Sequence, residues 1–149
     1  MPLFLKQREV GELTITDERM TRFWLTVEQG VRFVIECIGR MHGGEIFIPK
    51  LPSMSLVDIA DVIAPDAKKK FIGLRAGEKL HEVLIVEEES RHTWEFDDYF
   101  VVYPEFSFRR ESKIQVGKAL AEDIRYASDN NTWWLTKDEL KGMIDGINS

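Results

Sequence analysis

Three side chains in two short segments could together hold an anionic ligand. Arg22 stands in segment 20–24, and Arg75 and Glu78 stand in segment 74–82. A guanidinium presents a planar fork of donors that matches two oxygens of a phosphate at once. The carboxylate of Glu78 can accept hydrogen bonds from the two hydroxyls of a ribose. These residue types predict one half of a site for a nucleotide-sugar.

Each of the three residues also has a structural interpretation. Arg75 and Glu78 could form a surface pair in a turn between a strand and a helix, where Gly77 permits a tight backbone. Arg22 lies among large apolar residues, and a charge in such surroundings usually has a partner. That partner could be a carboxylate of the protein or the same diphosphate that Arg75 would hold. The sequence leaves both interpretations open.

Charge and composition exclude several other classes of function. The 149 residues carry 26 acidic and 20 basic side chains, a net charge of −6, which argues against a nucleic-acid partner. No apolar run reaches the length of about 18 residues that a membrane span needs. Cys37 is the single cysteine, so we expect a reducing, cytoplasmic compartment. His42, His81 and His92 lack the spacing of metal ligands, so no metal site is expected.

The elements around these residues alternate between strand and helix patterns, which predicts an α/β fold. We expect strands at 12–17, 45–48 and 70–74, a helix capped by Thr26 and Gln29, and a helix from Ser55 to Ile63. The continuous apolar run at 45–48 predicts a strand buried on both faces, as in a parallel sheet. The turn at 75–78 should open a helix carrying Leu80, Val83 and Leu84, with Glu78 at its N-terminus.

The pattern changes in the last third of the chain. Two strands are predicted at 93–96 and 99–103, a helix near 115–122, and a final helix capped by Thr136 and Glu139. We therefore expect a nucleotide-sugar-binding α/β region at 1–104 and a C-terminal extension at 105–149 that packs on it.

Five segments resemble, in order and spacing, the C-terminal half of inverting UDP-N-acetylglucosamine 4,6-dehydratases. The matching segments are 13–17, 20–24, 43–50, 52–54 and 77–84. These lyases belong to the extended short-chain dehydrogenase/reductase superfamily and act in bacterial pseudaminic acid synthesis, a branch of surface polysaccharide biosynthesis. The tail at 126–131, followed by Trp133 and Trp134, also resembles the pseudaminic acid branch.

The resemblance implies a role for each candidate residue. Arg22 and Arg75 would hold the diphosphate, and Glu78 would bind the ribose. The family usually has proline where this chain has Ala76, a change that loosens the turn without removing a ligand group. Three residues would line the uracil, largely through backbone groups: Leu13, Thr14 and Ile15.

The resemblance also implies what this chain lacks. The family's N-terminal half is a dinucleotide-binding Rossmann domain with a glycine-rich loop for NADP and a Tyr-x-x-x-Lys pair, and neither occurs in the 149 residues. We therefore expect no bound cofactor, no catalytic residue and no catalysis by this chain alone. The chain is interpreted as the substrate-binding portion of a dehydratase. The alternative is a non-catalytic UDP-sugar-binding or assembly module that acts with a full-length enzyme.

The missing half should also leave surfaces uncovered. In the resembled fold a strand like 45–48 adds to the sheet of the N-terminal domain, so here its edge would be unpaired and open to another chain. The apolar segment 3–5 would be uncovered in the same way. We therefore expect an oligomer, formed by self-association or by association with an N-terminal Rossmann half.

Overall fold

The computed structural model describes residues 2–105 and 117–147. In chain order, its elements are α1 (Pro2–Val10), β1 (Glu12–Ile15), β2 (Thr21–Phe23), α2 (Val27–Arg40), β3 (Ile46–Pro49), β4 (Ser53–Ser55), α3 (Leu56–Ile63), β5 (Lys68–Phe71), β6 (Val83–Ile85), α4 (Glu87–Ser90), β7 (Thr93–Glu95), β8 (Tyr99–Val102), β9 (Lys118–Ala119), β10 (Tyr126–Ala127) and α5 (Lys137–Ile147). The predicted mixed α/β class is confirmed. None of the helices in these described ranges is long and apolar enough to cross a membrane.

The chain divides into two compact units that alternate along the sequence. The first unit contains Met1–Trp24, Pro52–Glu82 and Asn131–Ser149, and the second contains Leu25–Leu51 and Val83–Asn130. The expected ligand-binding region at 1–104 and extension at 105–149 were defined by function and not by compactness. That division stays a prediction.

The first unit is built on a parallel strand pair. β1 runs parallel to β5, with Glu12 opposite Lys68 and Ile15 opposite Phe71, and β2 pairs antiparallel with β4. Leu13 and Ile15 alternate with polar neighbours along β1, so both point to one face, where they are fully buried. The core there is completed by apolar residues of α3 and α5, namely Ile59, Ala60, Ile63, Leu140 and Ile144.

The starts of α2, α3 and α5 were predicted correctly because each of these three helices is encoded by a local cap. Thr26 and Gln29 form the predicted capping box of α2, and the side chain of Ser55 accepts a hydrogen bond from the Asp58 amide at the start of α3. Thr136 accepts a hydrogen bond from the Glu139 amide at 3.3 Å, which caps α5.

The second unit contains an antiparallel sheet with strand order β3-β8-β7-β9. The two strands predicted at 93–96 and 99–103 are β7 and β8, which pair antiparallel with Asp97 and Asp98 between them, and all four residues of β8 are buried. Ile48, Ile85, Phe100 and Val102 form the core of this unit.

Two strand predictions were wrong in detail. The strand expected at 70–74 begins and ends earlier, at Lys68–Phe71. β3 is an edge strand that pairs antiparallel with β8, and Ile46 is 55% exposed, so this strand is neither parallel nor buried on both faces. The apolar run at 45–48 does not by itself distinguish a parallel from an antiparallel strand, because β8, which pairs with β3, lies some fifty residues later in the chain. On its other edge, β3 has no strand partner among the described residues.

Two helix predictions were also wrong. The turn at 75–78 opens no helix: residues 79–82 are irregular, and Val83–Ile85 form β6, which pairs with β10. The described part of segment 115–122 contains β9, paired with β7 and not helical, whereas 115 and 116 lie outside the described residues. Short apolar runs fit helical and extended periods equally well, and strand partners distant in sequence decide between them.

The apolar segment at the N-terminus is only partly uncovered. Leu3 is 58% exposed, as expected, but Phe4 is 7% exposed and belongs to the core of the first unit. The expectation of an uncovered segment 3–5 is therefore wrong for Phe4, because α1 packs this ring against the β1 and α3 core.

Candidate functional site

The candidate residues of the first unit gather at the carboxyl ends of β1 and β5. Because these strands are parallel, their carboxyl ends lie at the same edge of the sheet, which is the usual place for ligands in α/β proteins. Thr16 directly follows β1, and the turn at 75–78 follows β5. The Thr16 hydroxyl donates a hydrogen bond to Oε1 of Glu78 at 3.2 Å, which joins the two strand ends.

The turn that carries Arg75 and Glu78 is held by its own side chain. The Glu78 amide donates to the Arg75 carbonyl at 3.1 Å, and Glu78 Oε2 accepts from the Arg75 amide at 3.3 Å. Gly77 has φ of +80°, a conformation that a residue with a side chain adopts only with strain. Each carboxylate oxygen can accept more than one hydrogen bond, so Glu78 keeps capacity for the hydroxyls of a ligand.

The guanidinium of Arg75 is available to a ligand. Arg75 is exposed, and within the described residues its side chain has no hydrogen bond or ion pair. An anion that binds here would therefore not have to displace a protein carboxylate. This arrangement is the strongest structural support for an anion site beside Glu78.

Arg22 is differently placed. From β2, its Nη1 donates to the carbonyls of Thr21 at 2.6 Å and Leu80 at 3.1 Å, and its Nη2 donates to the carbonyl of Lys79 at 3.0 Å. Its Nε lies 3.4 Å from Glu82 Oε1. A guanidinium has five donors, so these contacts leave one for a ligand unless they rearrange. The geometry gives Arg22 a structural contact with segment 79–82, and its role at a diphosphate stays a prediction.

The predicted uracil-lining residues lie within β1, which Ile15 ends at this edge, and several of their polar groups are already engaged. The Thr14 amide donates to Gln7 Oε1 at 3.1 Å, and Gln7 Nε2 donates to Thr14 Oγ1 at 2.6 Å. The Ile15 carbonyl accepts from the Ile72 amide at 3.0 Å, and the side chains of Leu13 and Ile15 are buried in the core. A base that uses the Thr14 amide would have to displace Gln7, and the lining role of these three residues stays a prediction.

Gln7 was missed by the sequence analysis. Its amide offers Thr14 one acceptor and one donor, the same kind of pair that a pyrimidine edge presents. Nothing in the sequence pattern marked it, because a glutamine in a short helix is ordinary.

Further polar residues near this edge make contacts that the sequence did not predict. The Thr21 hydroxyl and His81 Nδ1 are 2.8 Å apart, which links β2 to segment 79–82. Asp17 accepts two hydrogen bonds from the Arg19 guanidinium, and these bonds lower the pKa of Asp17 to about 2. A carboxylate with so low a pKa remains charged near neutrality, so Asp17 is unsuited to general acid–base chemistry.

The second unit contains a cavity that the sequence did not predict. Its volume is about 670 Å³, and its walls include the stacked rings of Phe96 and Tyr99, whose centroids are 4.7 Å apart. Arg40 lies over the Tyr99 ring at 4.7 Å, and Lys50 is paired with Glu95 at 2.8 Å. The lining charges are mixed and partly paired, so no ligand class follows from them. The described residues contain no group of three or more potential metal-binding side chains.

Comparisons with known proteins agree with the sequence resemblance. A family profile described as polysaccharide biosynthesis protein matches residues 1–104. The inverting UDP-N-acetylglucosamine 4,6-dehydratase of Campylobacter jejuni subsp. jejuni serotype O:2 is 44% identical, over 97% of this chain and 46% of that protein. The UDP-glucose 4-epimerase of Rickettsia canadensis is 31% identical, over 99% of this chain and 45% of that protein. The resemblance inferred from the five segments is confirmed.

The fold has a solved counterpart as well. The X-ray structure of Pen from Bacillus thuringiensis matches with a TM-score of 0.83 and 32% identity, over 99% of this chain and 45% of that one. The chain thus spans about half the length of the proteins that it matches.

Proposed function

This chain belongs to the family of polysaccharide biosynthesis proteins, and on that premise we propose that its first unit binds the nucleoside diphosphate of a UDP-sugar. The observation that carries the proposal is the exposed, unpaired Arg75 guanidinium beside Glu78, at the shared carboxyl edge of β1 and β5. Arg75 would bind the diphosphate and Glu78 the ribose, while Leu13, Thr14 and Ile15 would line the base. Arg22 would support the loop and contribute its remaining donor.

We propose UDP-N-acetylglucosamine as the ligand and a 4,6-dehydratase as the enzyme of which this chain is the substrate-binding portion. The relative at 44% identity carries that name, which supports both assignments. Pseudaminic acid synthesis is the proposed pathway, from the resemblance of the tail at 126–131. A single cysteine fits the reducing environment of the cytoplasm, which is the proposed location.

We propose that NADP is held outside this chain. None of the described strands leads through a glycine-rich turn into a helix, so the described residues do not fit a dinucleotide, and we derive no step through it. An N-terminal Rossmann half or a second copy of this chain is the proposed protein partner.

Calorimetric titration with UDP-N-acetylglucosamine tests the nucleotide site. A charge-assisted hydrogen bond contributes about 1.5–3 kcal/mol, so Arg75→Ala should weaken binding by roughly tenfold to a hundredfold. Arg91→Ala, which removes another exposed arginine, is the matched control and should leave the affinity unchanged. Equal affinities of the Arg75→Ala variant and the unchanged protein would refute the assignment.

Gln7→Ala tests the base-binding prediction separately. If a uracil takes the place of the Gln7 amide at Thr14, removing that amide should tighten the binding of UDP-N-acetylglucosamine. Binding that is unchanged by Gln7→Ala would place the base elsewhere, without affecting the assignment of Arg75.

Catalysis by the chain alone is a further test. Purified protein should release no dehydrated sugar from UDP-N-acetylglucosamine, with or without added NADP⁺, because the cofactor loop and the Tyr-x-x-x-Lys pair are absent from its sequence. Product formed by protein free of any longer enzyme would contradict this expectation.

A further inference from the structure

The Glu78 carboxylate is held at both of its oxygens by uncharged donors. Oε1 accepts a hydrogen bond from the Thr16 hydroxyl at 3.2 Å, and Oε2 accepts one from the Arg75 amide at 3.3 Å. Among the described residues Glu78 forms no ion pair, although the Arg75 guanidinium belongs to the same turn. The two hydrogen bonds set the direction of the carboxylate without neutralising its charge, so lone pairs on both oxygens remain for a ligand.

Thr16 is itself fixed by the backbone on either side of it. Before it, the Ile15 carbonyl accepts from the Ile72 amide at 3.0 Å, which extends the pairing of β1 with β5. After it, the Met20 amide donates to the Asp17 carbonyl at 3.3 Å and closes a turn. The β-branched side chain of threonine also has few rotamers. The hydroxyl therefore holds the carboxylate from an ordered backbone, and groups that are ordered before binding cost less entropy when a ligand arrives.

A carboxylate with a fixed direction can distinguish two sugars that differ by one hydroxyl. Ribose presents adjacent 2′ and 3′ hydroxyls, and acidic side chains of nucleotide-binding α/β folds accept hydrogen bonds from them. When the carboxylate cannot turn, both of its oxygens are used only if both hydroxyls are present. A site that is built to bind a hydroxyl rejects the analogue that lacks it, because the polar group of the site is left unpaired. A carboxylate that is free to turn follows a single hydroxyl and discriminates less.

We propose that Thr16 is a positioning residue that makes this site select ribose over 2′-deoxyribose. Thr16 acts through Glu78 and needs no contact of its own with the nucleotide. The inference rests on the nucleoside diphosphate site proposed above and adds the selectivity of that site for the pentose. The hydrogen bond between Thr16 and Glu78 then serves ligand choice as well as joining the ends of β1 and β5.

Calorimetric titration with UDP and with 2′-deoxy-UDP tests the inference. The unchanged protein should bind UDP about tenfold or more tightly than 2′-deoxy-UDP, the contribution of one hydrogen bond to a charged group. Thr16→Val keeps the shape of the side chain but removes the hydroxyl, so it should reduce this preference to about threefold or less. Thr16→Ser keeps the hydroxyl and should restore most of the preference. Thr132→Val makes the same replacement at an exposed threonine of the same unit and should leave the preference unchanged.

A double-variant comparison shows whether Thr16 acts through Glu78. Glu78→Gln should itself abolish most of the preference for UDP over 2′-deoxy-UDP. In that background Thr16→Val should change the preference no further, since two residues that act through one interaction are not additive. A further loss of similar size in the Glu78→Gln protein would show that Thr16 acts independently of Glu78 and would overturn the inference.

A purely structural role of Thr16 predicts a different result. In that case Thr16→Val would weaken the binding of UDP and of 2′-deoxy-UDP by the same factor, and the unchanged ratio would overturn the inference. Equal affinities of the unchanged protein for the two nucleotides would overturn it as well, without any variant.

Failure of the nucleotide site itself gives a separate result. If the unchanged protein binds neither nucleotide, or if Arg75→Ala binds both as tightly as the unchanged protein, the proposed site is refuted and the inference falls with it. If UDP binds in a way that depends on Arg75 but no more tightly than 2′-deoxy-UDP, only the inference about Thr16 is overturned.

Discussion

Replacing Arg22 and Arg75 by alanine should separate stability from ligand binding. Arg22 donates to three backbone carbonyls at 2.6, 3.1 and 3.0 Å, two of them in segment 79–82. Hydrogen bonds to a charged group contribute roughly 1.5–3 kcal/mol each, but carbonyls that gain access to water recover part of this. The Arg22 side chain is 26% exposed. We therefore expect Arg22→Ala to lower the free energy of unfolding by about 2 kcal/mol, near the value of one such bond.

Arg75→Ala should behave differently. The Arg75 side chain is exposed and has no partner within the described ranges, so its loss should change the free energy of unfolding by less than about 0.5 kcal/mol. Both variants should bind UDP more weakly, Arg75→Ala because a ligand contact is lost and Arg22→Ala because segment 79–82 loses its support.

Urea denaturation followed by tryptophan fluorescence measures the difference. Three of the four tryptophans, Trp24, Trp133 and Trp134, belong to the first unit, so most of the signal reports on the region that contains both arginines, and Trp94 alone reports on the second unit. With a urea dependence of about 2 kcal/mol per molar, the Arg22→Ala midpoint should fall by about 1 M. Equal midpoints for the two variants would refute the reasoning that Arg22 holds segment 79–82 in place.

Three further predictions concern the stability of the two units. Leu140→Ala removes a fully buried side chain and should cost about 2–5 kcal/mol, measured by urea denaturation; a loss below 1 kcal/mol would contradict the assigned core. Thr26→Ala should cost about 1 kcal/mol by the same assay, and Thr26→Ser should restore most of it, since only the capping oxygen matters. The Lys137 and Lys69 ammonium groups lower the pKa of Asp61 in the folded state, so the stability they provide is present above about pH 4 and is lost as pH falls through the lowered pKa. Asp61→Asn should flatten this acid dependence, and an unchanged profile would argue against the ion pairs.

Local sequence was sufficient for the features that depend on a few neighbouring residues. The cap of α2 needs Thr26 and Gln29, three residues apart, and the alternation along β1 needs Leu13 and Ile15, two apart. The hairpin of β7 and β8 closes over a short polar turn. Caps, strand alternation and short turns depend only on residues that are close in sequence, so they could be predicted without knowledge of the rest of the chain.

Partners distant in sequence decided the remaining elements. Val83 to Ile85 fit a helix as well as a strand, and they became β6 because Tyr126 and Ala127 supply the neighbouring strand. In the same way, β3 took its antiparallel direction from β8. The apolar pattern of α2 was readable from sequence, but its exposure was not, because periodicity identifies a face without showing what covers it.

The candidate site also combines features that the sequence predicted with features that only the tertiary structure revealed. Sequence by itself determined the chemistry, namely the guanidinium of Arg75, the carboxylate of Glu78 and the order of segments that indicates the family. Only the tertiary structure showed that Thr16 contacts Glu78, that Arg22 binds carbonyls of segment 79–82, and that Gln7 engages Thr14. The reason is physical: two of these contacts join residues about sixty positions apart, and the Thr16 contact forms only once β1 and β5 align in parallel and bring their carboxyl ends to one edge.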